Sequence, residues 1–274
     1  PQPNVWANPL LRSLVVDEAR ASKTMVDILQ GYGAVPDPRL TLILSKSQAW
    51  VQGKDGAEEW KGVPNGLPVT ELSLPEYDNN HNSCIWGYMW GYDWNSAEKG
   101  DNISKPKTDA DFTPLGLMNY SEVCFLKAEA ALRGWQGAGD AKTNYENGIR
   151  ASFEEMRANA PKDSYSKSND DKYISEGNVA WNNADSFEAK LEKIITQKWI
   201  GIYPNSEEAW AEFRRTGYPK LNPVKQSLEP TINPKNGEFI KKLRYVDNEL
   251  SNNKEYATDP TLNGGQGDGL SVRV

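Results

Sequence analysis

The chain has 274 residues, enough for one sizeable buried core, and carries a formal net charge of −7. That acidic balance excludes a phosphate-reading nucleic-acid face and a polybasic lipid patch, and no apolar run approaches the roughly 20 residues of a membrane-spanning helix. With 10 Trp and 12 Tyr, the chain holds more aromatic surface than a core requires, which leaves rings for ligands or partners.

The chain opens on Pro1-Gln2-Pro3-Asn4 rather than on Met and a signal peptide, the start expected of a fragment or a processed product. Leu10, Leu11, Leu14, Val15, Ala19, Met25, Ile28 and Leu29 predict a helix over Pro9–Gly31, stopped at Gly31-Tyr32-Gly33. Asp37-Pro38-Arg39-Leu40 follows. From 45 to 115 the chain is rich in Gly, Pro, Asn and Asp and lacks helical periodicity, which predicts loops with short strands. An irregular segment of that length in a compact protein is usually functional. It holds Trp60-Lys61-Gly62-Val63-Pro64-Asn65-Gly66 and then Ile85-Trp86-Gly87-Tyr88-Met89-Trp90-Gly91-Tyr92-Asp93-Trp94.

Helical order returns at Leu117. On a helix to about Trp135, Tyr120, Cys124, Ala128, Ala131 and Trp135 share one stripe. Gly134 and Gly137-Ala138-Gly139 end it. Asp140 caps a second helix with Tyr145, Ile149, Phe153 and Met156 on its inner face, so the two form an antiparallel hairpin. A third helix over Asp185–Ile202 has Phe187, Leu191, Ile194, Ile195, Lys198 and Ile202 along its seam and an Asp185/Glu188 capping box. Pro204-Asn205-Ser206 breaks the chain and caps a fourth helix over Glu207–Thr216.

Met118–Trp135, reading M-N-Y-S-E-V-C-F-L-K-A-E-A-A-L-R-G-W, and Ile195–Leu221, reading I-T-Q-K-W-I-G-I-Y-P-N-S-E-E-A-W-A-E-F-R-R-T-G-Y-P-K-L, resemble the C-terminal half of SusD/RagB-type proteins. Asp37-Pro38-Arg39-Leu40 and the aromatic-x-Gly-x-Pro-x-Gly turn at Trp60–Gly66 extend the likeness. So does Phe239–Glu249, which departs at Val246, where that family has Pro. The resemblance implies a mainly α fold of tetratricopeptide-like helical hairpins with a long irregular loop-rich binding segment. The whole of 1–274 then reads as one region, with 45–115 as the binding segment and 117–219 as the helical scaffold. It also implies a lipoprotein of the Bacteroidetes outer-membrane surface that binds an oligosaccharide and delivers it to a SusC-like TonB-dependent transporter. Contact with the membrane would be only through an N-terminal lipid anchor absent from this chain.

Trp86, Tyr88, Trp90, Tyr92 and Trp94 alternate with Gly, Met, Gly and Asp, so extended backbone would put all these rings on one face. Sugars pack their C–H faces on such rings, and Asn80 and Asp93 beside them can bind hydroxyls. Packing of the rings on the scaffold or on a transporter is the other reading. His81 stands alone, without the further His or Cys of a zinc site. No nucleophile motif or phosphate loop occurs, and no spacing singles out an acid pair for glycoside hydrolysis. Asp78, Asn79, Asn80, Asp93 and Asp101 lack the spacing of a calcium loop. No catalytic residue, metal or cofactor is therefore expected. A peptide-binding member of the same family, an α-helical glycan hydrolase and a purely transporter-contacting fragment are the alternatives.

Glu129 lies in an apolar run and needs a cation; Arg214 or Arg215, next to Trp210, is the structural partner expected. Cys124 reads as a buried small hydrophobe and Cys84 as a residue of a polar loop, with a disulfide between them left open.

Overall fold

The computed structural model describes residues 20–84, 117–158, 166–230, 232–243, 245–255 and 259. Among these residues the chain is mainly helical, with isolated bridges in place of the short strands expected between 45 and 84. The Gly- and Pro-rich composition there breaks the chain too often for a ladder to form. Short helices take the place of strands.

Helix α1, Lys23–Gly31, begins where the Ser22 hydroxyl accepts from the Met25 amide at 3.2 Å. The predicted start at Pro9 lies outside the described residues. The helix does not run through residues 20–22, because Arg20 and Ser22 are held in isolated bridges to Cys84 and Val63. The short helices α2, Leu40–Ile43, α3, Gln48–Val51, and α4, Val69–Leu72, follow.

The scaffold is a hairpin of α5, Tyr120–Leu132, and α6, Ala141–Ala158. Asp140 caps α6 by accepting from the Thr143 amide at 2.8 Å. Ser121 of α5 meets Glu155 of α6, and Phe125 meets Gly148, so the helices run antiparallel. Tyr120 and Trp135 are 66% and 67% exposed, so the predicted stripe on α5 is displaced. This helix is apolar on nearly every side, and its composition does not choose a face. The buried row is Ser121, Cys124, Phe125 and Ala128, flanked by Glu122 and Glu129.

Next come α7, Asp170–Ser175, then α8, Phe187–Gly201, and α9, Ser206–Thr216. The cap of α8 is Ser186, accepting from the Ala189 amide at 3.2 Å, and not Asp185 as predicted. Asp185 instead pairs with Lys193 at 2.7 Å. Of the predicted seam of α8, Phe187 is partly exposed and the rest is buried. Asn205 caps α9, which ends on Gly217 in the left-handed region. A final short helix, α10, spans Asp247–Asn252.

One core cluster joins Phe125 and Ala128 of α5, Tyr145, Ile149 and Phe153 of α6, Tyr173 and Ile174 of α7, and Leu191, Ile194 and Ile195 of α8. A second docks α1 and α2 against Met156 of α6 and Ile200 of α8. Removing one such buried aromatic ring costs about 3–5 kcal/mol. Phe125 sits between helices that approach closely: a Cβ at Gly148 would lie 2.7 Å from its ring, and one at Gly201 would lie 3.2 Å away. Both cysteines are buried free thiols. Cys84 is not a polar-loop residue, since its sulfur sits 3.0 Å from the Ser45 hydroxyl in the interior.

Candidate ligand-binding region and its supports

Trp86, Tyr88, Trp90, Tyr92, Asp93 and Trp94 lie outside the described residues. The described chain reaches this stretch through a base tied by main-chain bonds. Ser45 donates from its amide to the Cys84 carbonyl at 2.9 Å, Ala21 to Ser83 at 2.7 Å, and Ser83 to Lys61 at 2.8 Å. Arg20 donates from its guanidinium to the Tyr77 carbonyl.

The Trp60–Gly66 turn explains its own sequence. Lys23 donates to the Val63 carbonyl and Val63 to the Ala21 carbonyl, each at 2.8 Å. That brings Gly62 so near α1 that a Cβ would sit 2.5 Å from the Lys23 Cα. Trp60 then packs on the second core cluster. Gly66 takes a positive φ of 74° against residues 224–226.

Asp78 organises the next turn. Its carboxylate accepts from the amides of Asn80 and His81 at 2.9 and 2.8 Å, with the His81 ring nitrogen 2.8 Å away. Partial burial works to raise this carboxyl, but the bonds from His81 and Asn80 outweigh it and leave it below its ordinary value. Asn80, the described member of the pair predicted to bind hydroxyls, is exposed, and its carbonyl accepts from the Ala49 amide at 2.8 Å. Asn82 turns inward and donates to the Glu76 and Asp78 carbonyls at 2.9 and 2.8 Å.

Beneath this region lies a buried polar network that motif reading registered without its partners. Arg39 donates from Nε to Asp37 Oδ1 at 2.9 Å and from Nη2 to Oδ2 at 2.6 Å, with both side chains fully buried. Its remaining bonds go to Ser152 of α6 at 2.8 Å and Gln197 of α8 at 2.5 Å. Tyr173 of α7 donates to Asp37 at 2.6 Å. Burial alone would lower the guanidinium, yet the Asp37 carboxylate holds it above its ordinary value. This network ties the chain entering 45–84 to three scaffold helices. Asp and Arg separated by Pro were visible in the sequence; Ser152, Tyr173 and Gln197 carry no local signal of convergence.

A second charged cluster holds α9 on the hairpin. Arg215 donates from Nη1 and Nη2 to the two oxygens of Glu129, each at 2.6 Å. Arg133 adds a bond to Glu129 at 2.8 Å. Arg214 takes the other expected place, its guanidinium lying 4.7 Å from the Trp210 ring centre. Lys198, buried in the seam of α8, meets Glu208 at 2.7 Å, Glu212 at 2.8 Å and Glu122 at 3.6 Å. Burial would lower this ammonium, and the carboxylates raise it. Among the described residues no group of acidic, His or Cys side chains could hold a metal ion.

Residues 3–271 match the family described as SusD-like, Susd and RagB outer membrane lipoprotein. The chain belongs to that SusD-like family. Its place is therefore among outer-membrane lipoproteins; no helix among the described residues is long and apolar enough to cross a membrane. A SusD homologue of Bacteroides ovatus is 29% identical, with a TM-score of 0.68, over 97% of this chain and 54% of its own. A homologue from Bacteroides thetaiotaomicron is 27% identical, with a TM-score of 0.64, over 93% of this chain and 51% of its own. A chitin-binding SusD homologue from Flavobacterium johnsoniae is 30% identical, with a TM-score of 0.60, over 92% of this chain and 48% of its own. This SusD-like chain thus spans about half the length of these solved relatives. No curated protein matches it.

Proposed function

We propose that this SusD-like chain is a glycan-binding part of a cell-surface lipoprotein that delivers an oligosaccharide to a TonB-dependent outer-membrane transporter. The observation that carries this reading is its likeness to the chitin-binding homologue, 30% identical over 92% of this chain. The alternating Trp86, Tyr88, Trp90, Tyr92 and Trp94 support it chemically, since extended backbone would put these rings on one face and such a face suits the C–H faces of sugars. Asn80 and Asp93 supply amide and carboxylate groups for hydroxyls. The role is binding without turnover.

The test is intrinsic Trp fluorescence of the chain titrated with chitin oligosaccharides and a panel of other glycans, beside Trp86→Ala and Trp90→Ala. The expected result is a saturable change that is lost in both variants, with no product released. Silence toward every glycan, or a response to peptides instead, would overturn the reading. Release of shortened glycan would make the protein a hydrolase.

A further inference from the structure

The C-terminal end of α1 borders a pocket of about 190 Å³. It is smaller than the roughly 300–1,000 Å³ of drug-sized ligand sites, so its occupant is small. One wall is apolar, made by Ile28 and Tyr32, and the polar groups come from Thr24, Asp27, Asn178, Lys220 and Asn222.

These groups are brought together from distant parts of the chain. Gly33 and Gly177 form an isolated bridge, and Gly177 takes a φ of 65° with its α-carbon packed against Ala34, which sets Asn178 beside the end of α1. Asn222 is fixed from the other side. Its amide nitrogen donates to Thr24 Oγ1 at 3.3 Å and its side-chain nitrogen to Asp27 at 3.0 Å.

The bonding capacity left over defines the ligand. Among the described residues the Asn178 side chain has no hydrogen-bond partner, and the Asn222 side-chain oxygen accepts none. Asp27 keeps room for further donors, while its charge is already matched by Lys23 at 2.7 Å. Lys220, the other charged residue of the lining, pairs with Glu192 at 3.4 Å, so each charge at the pocket is already matched and what remains is uncharged bonding capacity beside an apolar wall. Gly31 opens into it as well, since a Cβ there would meet nothing within 4 Å.

We infer that this pocket is a carbohydrate site separate from the aromatic stretch, taking a single pyranose residue. The ring's C–H face packs on Ile28 and Tyr32, and its hydroxyls bond Asp27, Asn178 and the free oxygen of Asn222. A sugar that binds here does so whether or not Trp86 and Trp90 form a platform.

The experiment is saturation-transfer NMR of the whole chain with N-acetylglucosamine, glucose and galactose. Transfer to at least one of them is expected. Asn178→Ala should weaken it by roughly tenfold, the loss of one or two hydrogen bonds, and Gly31→Trp should abolish it by filling the space. Circular dichroism checks that Gly31→Trp folds, and the exposed Asn178 supplies a variant that leaves the core untouched. Trp86→Ala and Trp90→Ala should leave the transfer intact. Three outcomes overturn the inference: no transfer from any of the sugars, transfer that survives both Gly31→Trp and Asn178→Ala, or transfer lost with Trp86 and Trp90 alone. Long-glycan binding that is lost in the Trp variants yet survives in Gly31→Trp would support the platform while leaving this pocket to stand or fall on the monosaccharide result.

Discussion

Arg215 and Glu129, 86 residues apart in the chain, meet in a bidentate pair with both contacts at 2.6 Å. Glu129 is almost wholly enclosed, while Arg215 keeps one side to water. The pair fastens α9 to α5, and Glu212 binds the same guanidinium from within α9. Arg215→Met should therefore cost about 1–2 kcal/mol, less than a fully buried charged bond because the cation is partly solvated. Glu129→Gln should cost a similar amount, and the double variant should cost less than the sum. Urea unfolding of the four proteins measures the coupling.

The Asp37–Arg39 pair is a different case, with both side chains at zero exposure. Arg39→Met leaves a carboxylate buried with, among the described residues, only Tyr173 and a backbone amide as donors. The expected cost is about 3–5 kcal/mol, well above that of Arg215→Met. Limited proteolysis should then cut first in 45–84, the segment whose entry this network holds.

Glu122 and Glu129 give opposite dependences on pH. Burial raises Glu129, but the bonds from Arg215 and Arg133 outweigh it and hold this carboxyl below its ordinary value. Its contribution is therefore present above the unfolded value of about 4.3 and is lost as the pH falls through the lower folded value. Glu122 is raised, first by burial and then by Glu208 and Glu212, against the pull of Lys198. Its contribution is fully present below about 4.3 and is lost as the pH rises through the higher folded value. Between pH 7 and pH 5 the parent should gain stability relative to Glu122→Gln, while its margin over Glu129→Gln stays flat. Chemical denaturation at several pH values separates the two.

Helical glycines offer a fourth test. Gly148→Ala forces a methyl within 2.7 Å of the Phe125 ring and should cost about 1–3 kcal/mol. Gly31→Ala, with nothing within 4 Å, should be neutral or stabilising by up to about 1 kcal/mol. Thermal melts of the two variants against the parent decide it.

The scaffold was readable because its signals are local. Asp140, Asn205 and the inner face of α6 follow from capping and periodicity alone. The α5 face was misread because Tyr120 and Trp135 continue an apolar pattern that tertiary packing does not use. Asp185 has the chemistry of a cap, but Lys193 claims it and Ser186 is one residue better placed. Glu129 announced its need for a cation by sitting in an apolar run. The partners of Arg39 gave no such notice, since Ser152, Tyr173 and Gln197 come together only when three helices have packed. The pocket beside Gly31 was illegible for the same reason: Asn178 and Asn222 are ordinary loop residues until Gly177 and Thr24 fix them.

The bonds that tie Ser45 to Cys84, Ala21 to Ser83 and Ser83 to Lys61 join main-chain atoms. Such bonds are indifferent to the side chains carried beyond them. A different run of residues can therefore follow Cys84 without disturbing the joint that holds it. The sequence beyond that joint can change while the frame stays fixed, and a chain carrying a transplanted stretch there should fold as the parent does.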